Sequence, residues 1–402
     1  MNQDWKVASL INLCDEITDG SHFSPKSKVA DEYPYITVRD LTDGVIDFNS
    51  CKFIDSDAYT SLVKNGCQPN NGDILFSKDG TVGKVALVES QRKFVVLSSL
   101  AIIRPNQKLI ASTYLKYALL NPSFLATAIG KKTGVAIRRI ILKNLKQIDV
   151  SYPTSIAEQK RIVAKLDQAI EAIDKAKANV ERNLQNAKDL FQSQLNENFS
   201  QKRDGWENVK LSELATDITD GDHMPPPKTK EGVPFITISN INKENHQIDF
   251  TNTFTVSDEY YQKLKEKRKP QKGDVLYTVT GSFGIPVVIE HDFKFCFQRH
   301  IGLIRPKKDL NSEWLYYWIL SPQAILQAND TATGTAQRTV SLTALRNFTI
   351  PRIPLKEQQI IVQELNTLST EVRKLEYNYL QNIFDLDELK KSILQKAFNG
   401  EL

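Results

Sequence analysis

Two short stretches hold residue types that could do chemistry, Thr18-Asp19-Gly20-Ser21-His22 and Thr219-Asp220-Gly221-Asp222-His223. An aspartate three residues before a histidine could begin a metal site or an acid–base couple. No second His or Cys cluster accompanies either one. Thr-Asp-Gly is ordinary turn chemistry, so the favoured reading is a turn whose histidine ties the loop down by hydrogen bonds. Gly80-Thr81-Val82-Gly83-Lys84-Val85 resembles a phosphate loop, but lacks the first glycine at the required spacing and the Ser or Thr after lysine. Asp387-Glu388-Leu389-Lys390 imitates a nuclease fragment, yet it lies on a heptad-patterned stretch whose alternating charges form the wet face. Cys14, Cys51, Cys67 and Cys296 fit no C-x-x-C spacing, so neither zinc nor a disulfide framework is implied, and they read as buried or neutral thiols.

The two histidine motifs belong to a longer duplication. Gly72-Asp73-Ile74-Leu75-Phe76 answers Gly273-Asp274-Val275-Leu276-Tyr277, Gly80 and Gly83 answer Gly281 and Gly284, and Arg104-Pro105 answers Arg305-Pro306. Trp5 answers Trp206, and after small gaps Ala157-Glu158-Gln159 meets Lys356-Glu357-Gln358. The order is preserved and the period is too long for a solenoid. Duplication also disposes of Asn121-Pro122-Ser123-Phe124, whose outline is that of an amino-methyltransferase motif: its counterpart, Ser321-Pro322-Gln323-Ala324, destroys the pattern. No glycine-rich cofactor loop follows an early strand. The sequence therefore predicts no catalytic residue and no bound metal or cofactor in this chain.

At 402 residues and 41% hydrophobic composition the chain can fill several ordinary cores. The start, Met1-Asn2-Gln3-Asp4-Trp5, lacks the basic-then-apolar build of a signal peptide, and no apolar run is long enough to span a bilayer, so a cytoplasmic location is the default expectation. Net charge is only +4, but the two helical stretches carry −2 of it, which leaves +6 on the remainder. An anionic partner is consistent with that distribution.

The elements that would position these residues follow the duplication. Each block reads as mixed strand and loop: Tyr35 to Val38, Lys84 to Val88 and Phe94 to Leu97 in the first copy, Phe235 to Ile238, Pro286 to Ile289 and Phe295 to Phe297 in the second. Short helices are expected at Ser112 to Leu120 and Ser312 to Leu320. Each block is followed by a long helix. Ser155-Ile156-Ala157-Glu158 reads as a capping box, and Pro354 suits a first helical turn. Val163, Leu166, Ile170, Ile173, Lys177, Val180, Leu184, Ala187 and Phe191 alternate steps of three and four, a seam of period 3.5. Ile361, Leu365, Leu368, Val372, Leu375, Tyr379, Asn382, Leu386, Leu389 and Ile393 form a second seam. Two stripes in one chain most simply bury each other, antiparallel, because the whole second block lies between them. Lys177 is then expected opposite Leu375 to Tyr379, either fixing register or snorkelling to solvent.

Tandem variable blocks, helices opening Ile156-Ala157-Glu158-Gln159-Lys160-Arg161-Ile162-Val163 and Leu355-Lys356-Glu357-Gln358-Gln359-Ile360-Ile361-Val362, and the terminus Ala397-Phe398-Asn399-Gly400-Glu401-Leu402 together resemble the specificity subunit of type I restriction-modification systems. The first helix departs, closing on Gln194-Leu195-Asn196-Glu197-Asn198-Phe199 in place of Gly-Glu-Leu. The resemblance implies an α+β chain of two tandem target recognition domains, residues 1–152 and 201–352. An intramolecular antiparallel coiled coil of two spacer helices, residues 153–200 and 353–402, separates them with pseudo-twofold repetition. It implies a non-catalytic reader of double-stranded DNA. Its partners would be two methyltransferase subunits using S-adenosylmethionine for adenine N6 methylation, and restriction motor subunits using ATP and Mg2+. The rival readings are a self-sufficient modifying enzyme and a coiled-coil scaffold that binds proteins.

Long polar side chains on loops after strands are the candidates for base contact: Arg39, Ser77, Lys78 and Arg138 in the first block, Asn240, Thr278, Thr280, Gln337 and Arg338 in the second. Lys131, Lys132, Arg139, Lys143, Lys267, Arg268 and Lys269 are the candidates for phosphate contact. Because the blocks share a framework but differ in these residues, a bipartite, asymmetric target is expected.

Overall fold

The computed structural model describes residues 4–27, 33–42, 44–131, 139–200, 205–224, 226–335 and 337–402. The chain divides into two compact units, Met1–Glu181 with Gln381–Leu402, and Arg182–Leu380, and the divide runs through both long helices.

In the first unit the hydrogen-bonded strand order is Cys14–Asp19, Leu100–Pro105, Ile74–Ser77, Val85–Leu87, all antiparallel. Strand alternation places Ile74 and Phe76 on one face with Ala101 and Ile103, and Leu75 on the other with Leu100 and Ile102. All of these are buried, so the sheet is covered on both sides. One face packs on helix Ser112–Leu120 and the long helix. The other packs towards a three-stranded sheet in which Tyr33–Ile36 pairs antiparallel with Lys52–Ile54 and parallel with Val95–Val96. Strand Trp5–Ser9 closes the unit by pairing with Asp149–Pro153.

The second unit repeats this plan strand for strand. Its four-stranded sheet runs Ala215–Asp220, Ile301–Pro306, Val275–Thr278, Pro286–Val288, and Glu207–Lys210 pairs with Thr349–Arg352. The matched motifs now have physical reasons. Asp73 accepts two hydrogen bonds from Arg104, at 3.2 and 3.1 Å, and Asp274 accepts two from Arg305, at 2.9 and 2.8 Å. Both aspartates are buried, so each needs its arginine.

Helix Ser112–Leu120 lies where the sequence placed it, and its counterpart is Ser312–Ile319. Helices Ser56–Lys64, Pro122–Gly130 and Leu142–Lys146 had no strong periodic signal and were not anticipated. The predicted strand at Tyr35 to Val38 stops at Ile36. Thr37 caps a 3-10 turn over Val38–Asp40, in which Asp40 accepts from the Thr37 amide at 2.6 Å and hydroxyl at 2.9 Å.

The long helices are Ile156–Ser200 and Leu355–Phe398. The predicted capping box at Ser155 is half formed. Ser155 accepts from the Glu158 amide at 3.4 Å, but the Glu158 carboxylate turns to Arg161 at 2.7 Å. The buried clamp is the next residue. Gln159 Oε1 accepts from the Ala111 amide at 2.8 Å while Nε2 donates to the carbonyls of Leu109 and Pro153 at 3.0 and 2.9 Å. Gln358 makes the same three bonds to Asn311, Asp309 and Ile353. A duplicated glutamine therefore fastens the start of each helix to its own domain.

Within the first unit the helix segments run antiparallel. Arg161 donates to the Leu402 carbonyl at 2.9 Å, Lys390 pairs with Asp174 at 2.9 Å and Lys177 with Asp387 at 2.7 Å. This corrects the expected register, since Lys177 faces Asp387 and not Leu375 to Tyr379. The stagger follows from seating the C-terminal turn, Leu394, Ala397 and Phe398, in the core of the first domain beside Tyr114. Within the second unit Leu195 and Phe199 share a core with Ile361, Val362 and Leu365, so there too the end of the first helix meets the start of the second. Of the expected seam positions, Val163, Leu166, Ile173, Leu365 and Val372 are buried, and Ile170, Lys177, Val180, Leu184, Leu368, Tyr379 and Leu386 half-buried. Leu375 is 39% exposed and Leu389 47%. The less exposed positions there are Glu376, Ile383 and Lys390, one residue on. A straight helix drifts from a strict seven-residue repeat, which accounts for that offset.

Candidate nucleic-acid interface

The Asp-Gly-x-His turns close the first strand of each four-stranded sheet. Their glycines are fixed by close approach: a Cβ on Gly20 would lie 2.3 Å from the Val96 carbonyl oxygen, and one on Gly221 1.9 Å from that of Phe297. His223 Nε2 bonds Asp220 at 2.7 Å, and His22 lies 3.5 Å from Asp19, so each histidine braces its own turn. Among the described residues no group of three or more His, Cys, Asp or Glu could hold a metal. All four cysteines are free, and burial pushes the thiols of Cys14 and Cys296 up to about 12, which removes them from nucleophilic or ligand chemistry at neutral pH.

The aspartate of each turn also holds a cation, from a different loop in each copy. Asp19 pairs with Lys78 at 2.9 Å and Asp220 with Arg268 at 3.1 Å. Lys78 corresponds to the buried Val279, and Arg268 to the buried Cys67. The charge has moved between loops while the pairing persists.

Four base-contact candidates are corrected by burial. Ser77 is wholly buried, its hydroxyl donating to the Thr81 carbonyl at 2.6 Å and accepting from the Lys84 amide at 2.8 Å. Thr278 does the same towards Ser282 and Ile285 at 2.8 and 3.0 Å. These hydroxyls shape the loop after the strand, in which Gly80, Gly83, Gly281 and Gly284 take positive φ. Lys78 is buried in its ion pair. Asn240 is also buried: Oδ1 accepts from the amide and hydroxyl of Thr237 at 2.9 and 2.7 Å, and Nδ2 donates to the carbonyls of Asp249 and Asn252 at 3.2 Å. Each of the four has its polar atoms committed to the fold, and none projects to a groove.

The others remain at the surface or outside the described residues. Arg39 is exposed on its 3-10 turn, and the equivalent residue is Ser239, one before the asparagine named above. Thr280 and Gln337 line a cleft of about 300 Å³ with Ser239, Lys243, Ser282 and His300. The loop after strand Val275–Thr278 is held to the later segment there by a bridge between Thr280 and Thr339 and by the Gly281 amide donating to the Arg338 carbonyl at 2.9 Å. Burial and then Arg299 push the His300 imidazole below its usual range, so it enters the cleft neutral at pH 7, able both to donate and to accept. Arg338 is exposed over the Phe283 ring at 5.5 Å. In the first unit the corresponding contact is the bridge between Asp79 and Arg139. Arg138 and Lys132 lie outside the described residues.

Among the phosphate candidates, Arg139, Lys143 and Lys267 are exposed and Lys131 half-buried. Arg268 and Lys269 are corrected: Arg268 is engaged by Asp220, and Lys269 by Glu266 at 2.5 Å and the Tyr261 ring at 5.4 Å. Sequence reasoning missed Ser239, Lys243, Ser282 and His300. The signal for Ser239 was present, because a capping Thr-x-x-Asp or Thr-x-x-Asn turns its fourth residue inwards and leaves the third outside.

A family model described as the type I restriction modification DNA specificity domain matches the chain twice, over residues 2–182 and 203–383. The chain belongs to this family. The two matches retrace the two structural copies. Over their whole length the specificity-domain relatives are distant. The EcoBI specificity subunit of Escherichia coli is 23% identical, with 100% of this chain and 87% of that protein covered. The MjaVIII specificity subunit of Methanocaldococcus jannaschii is also 23% identical, at 100% and 93% coverage. In fold the chain is similar to one from a structure describing complex assembly and conformational transition of the type I R-M system, with TM-score 0.79, 21% identity and coverage of 100% and 99%. The HsdS subunit of Thermoanaerobacter tengcongensis gives TM-score 0.57 at 21% identity, covering 100% and 98%. No helix among the described residues is long and apolar enough to cross a membrane.

Proposed function

We propose that this protein is the non-catalytic DNA-reading subunit of a type I restriction-modification complex, each domain reading one half of a bipartite, asymmetric target. The observation that carries the reading is the duplication of one scaffold with different side chains on its equivalent loops. Arg39 answers Ser239, and Asp79 answers Thr280. Shared strands supply the same docking geometry twice, while the loop residues supply two different readouts, each good bidentate pair being worth about 1–3 kcal/mol of base discrimination.

The long helices act as the ruler. At 45 and 44 residues they are each about 65 Å long. Two domains held by such rods meet the same face of B-DNA only at intervals set by its repeat of about 34 to 36 Å. Two methyltransferase subunits bring S-adenosylmethionine and place a methyl group on adenine N6, and restriction subunits supply ATP- and Mg2+-dependent motor work. Duplicated domains offer one docking surface per methyltransferase. The target adenine leaves the stack to enter a partner's pocket. The protein works in the cytoplasm, where the host DNA is.

The test is binding and turnover with purified components. The chain with methyltransferase subunits is expected to bind one duplex sequence selectively, with affinity falling steeply with salt. The chain alone is expected to transfer no methyl group. Methyl transfer by the isolated chain, or salt-insensitive and sequence-blind binding by the assembly, overturns the proposal.

A further inference from the structure

Several large apolar side chains are exposed in each unit, and the most exposed of each among the described residues occupy equivalent positions. Phe23 is 72% exposed and Met224 76%, each one residue beyond the histidine of the Asp-Gly-x-His turn. Exposing either costs solvation that a loop could avoid with a polar residue. The duplication speaks against accident.

The turns that present them are held by hydrogen bonds. Ser21 hydrogen-bonds to the Phe23 backbone twice, its hydroxyl donating to the carbonyl at 2.6 Å and accepting from the amide at 3.1 Å. In the second unit Asp222 takes the place of Ser21, accepts from the Met224 amide at 3.4 Å and is itself gripped by the Tyr260 hydroxyl. Bridges of Ser21 to Leu97 and of Asp222 to Gln298 fix both turns to the sheets. Different residues thus maintain the same presentation. Exposed lysines follow each apolar tip in the chain: Lys26 in the first unit, and Lys228 and Lys230, the latter beside the exposed Glu231, in the second. A hydrophobic tip followed by cations is complementary to a base-pair step between two phosphate strands.

We infer that Phe23 and Met224 are paired wedges, each entering the stack of one half-site and opening a base-pair step. Phe and Met are among the side chains that proteins insert between base pairs, partly unstacking and kinking the duplex. Such opening lowers the work of extruding the adenine on which a partner methyltransferase acts. This inference rests on the DNA-reading function proposed above.

The experiment uses the chain assembled with its methyltransferase subunits and a duplex carrying its mapped methylation motif, with 2-aminopurine placed in turn at each step of both half-sites. The intact assembly is expected to raise fluorescence at one step in each. Phe23→Ala removes the signal in the first half-site only and Met224→Ala in the second only, and each weakens binding about tenfold to a hundredfold, the size expected for losing one buried large side chain. Phe23→Leu and Met224→Leu retain the signal. Selective, salt-sensitive binding persists in the alanine variants, which separates loss of the wedge from loss of DNA reading. Unchanged fluorescence and affinity in both alanine variants overturn the inference. So does a loss of methyltransferase assembly without DNA, which would make these residues a protein contact.

Discussion

Replacing Gln159 with leucine tests how the long helix is fastened to the first domain. The side chain is wholly buried and its three hydrogen bonds serve three main-chain groups, the Ala111 amide and the carbonyls of Leu109 and Pro153. Leucine fills a similar volume but leaves all three without a partner. A stranded buried polar group costs about 1–3 kcal/mol, so three at the low end give about 3 kcal/mol, a large part of the about 5–15 kcal/mol that holds an ordinary domain together. The exposed neighbour Glu158, paired with Arg161 on the surface, serves as control, and Glu158→Ala is expected to cost no more than about 0.5 kcal/mol. Hydrogen exchange reads the effect locally and does not require the chain to unfold in one step. The Ala111 amide is expected to lose protection in Gln159→Leu while the Asn311 amide, bonded to Gln358, keeps it. Equal protection of Ala111 in both proteins, with unchanged denaturant midpoints, would refute the clamp.

Removing the carboxylate in Asp19→Ala leaves the Lys78 ammonium buried and unpaired, with an expected loss of about 3 kcal/mol in denaturant unfolding. The double variant Asp19→Ala/Lys78→Leu is expected to recover most of it, and failure to recover would show that the pair does more than neutralise itself. Lys177→Leu is expected to change stability by less than about 1 kcal/mol, because the Lys177 and Asp387 side chains are 30% and 45% exposed, and to keep the helix register, which the seating of Leu394, Ala397 and Phe398 in the first domain's core fixes. A shift in cross-linking between cysteines placed at 174 and 390 would contradict this. His246 adopts a positive φ of 56° and bonds Tyr316 at 2.8 Å, and burial followed by the Arg373 charge lowers its pKa. A folded pKa below the unfolded value means that the unfolded chain takes up the proton first as pH falls. The contribution is therefore complete above about 6.5 and is lost as pH drops from there through the folded pKa. Thermal unfolding of His246→Asn, whose side chain tolerates that φ, is expected to flatten this acid limb, and an unchanged limb would assign it elsewhere.

The duplication and the two long helices were legible because each leaves a strong linear signal, repeated motifs in one case and a 3.5-residue period in the other. Register was not legible. Lys177 meets Asp387 because Phe398 and Ala397 must seat in the first domain's core, a long-range constraint absent from the heptad pattern. Which polar side chain points outward was not legible. Ser77 and Thr278, expected on loops, are the last residues of their strands, and Asn240 ends a 3-10 turn; all three satisfy loop backbone instead of facing solvent. Gln159 and Gln358 were seen as repeated motif residues, and only packing reveals them as buried clamps.

The central claim, one chain reading two half-sites through two separate domains, is tested most directly by mapping methylated adenines in DNA modified by the complete complex. The mapping is then repeated after exchanging residues 1–152 for the corresponding domain of a relative with another target. The account predicts that one half of the bipartite motif changes while the other half and the spacer stay the same. A change in both halves, or in neither, would contradict it.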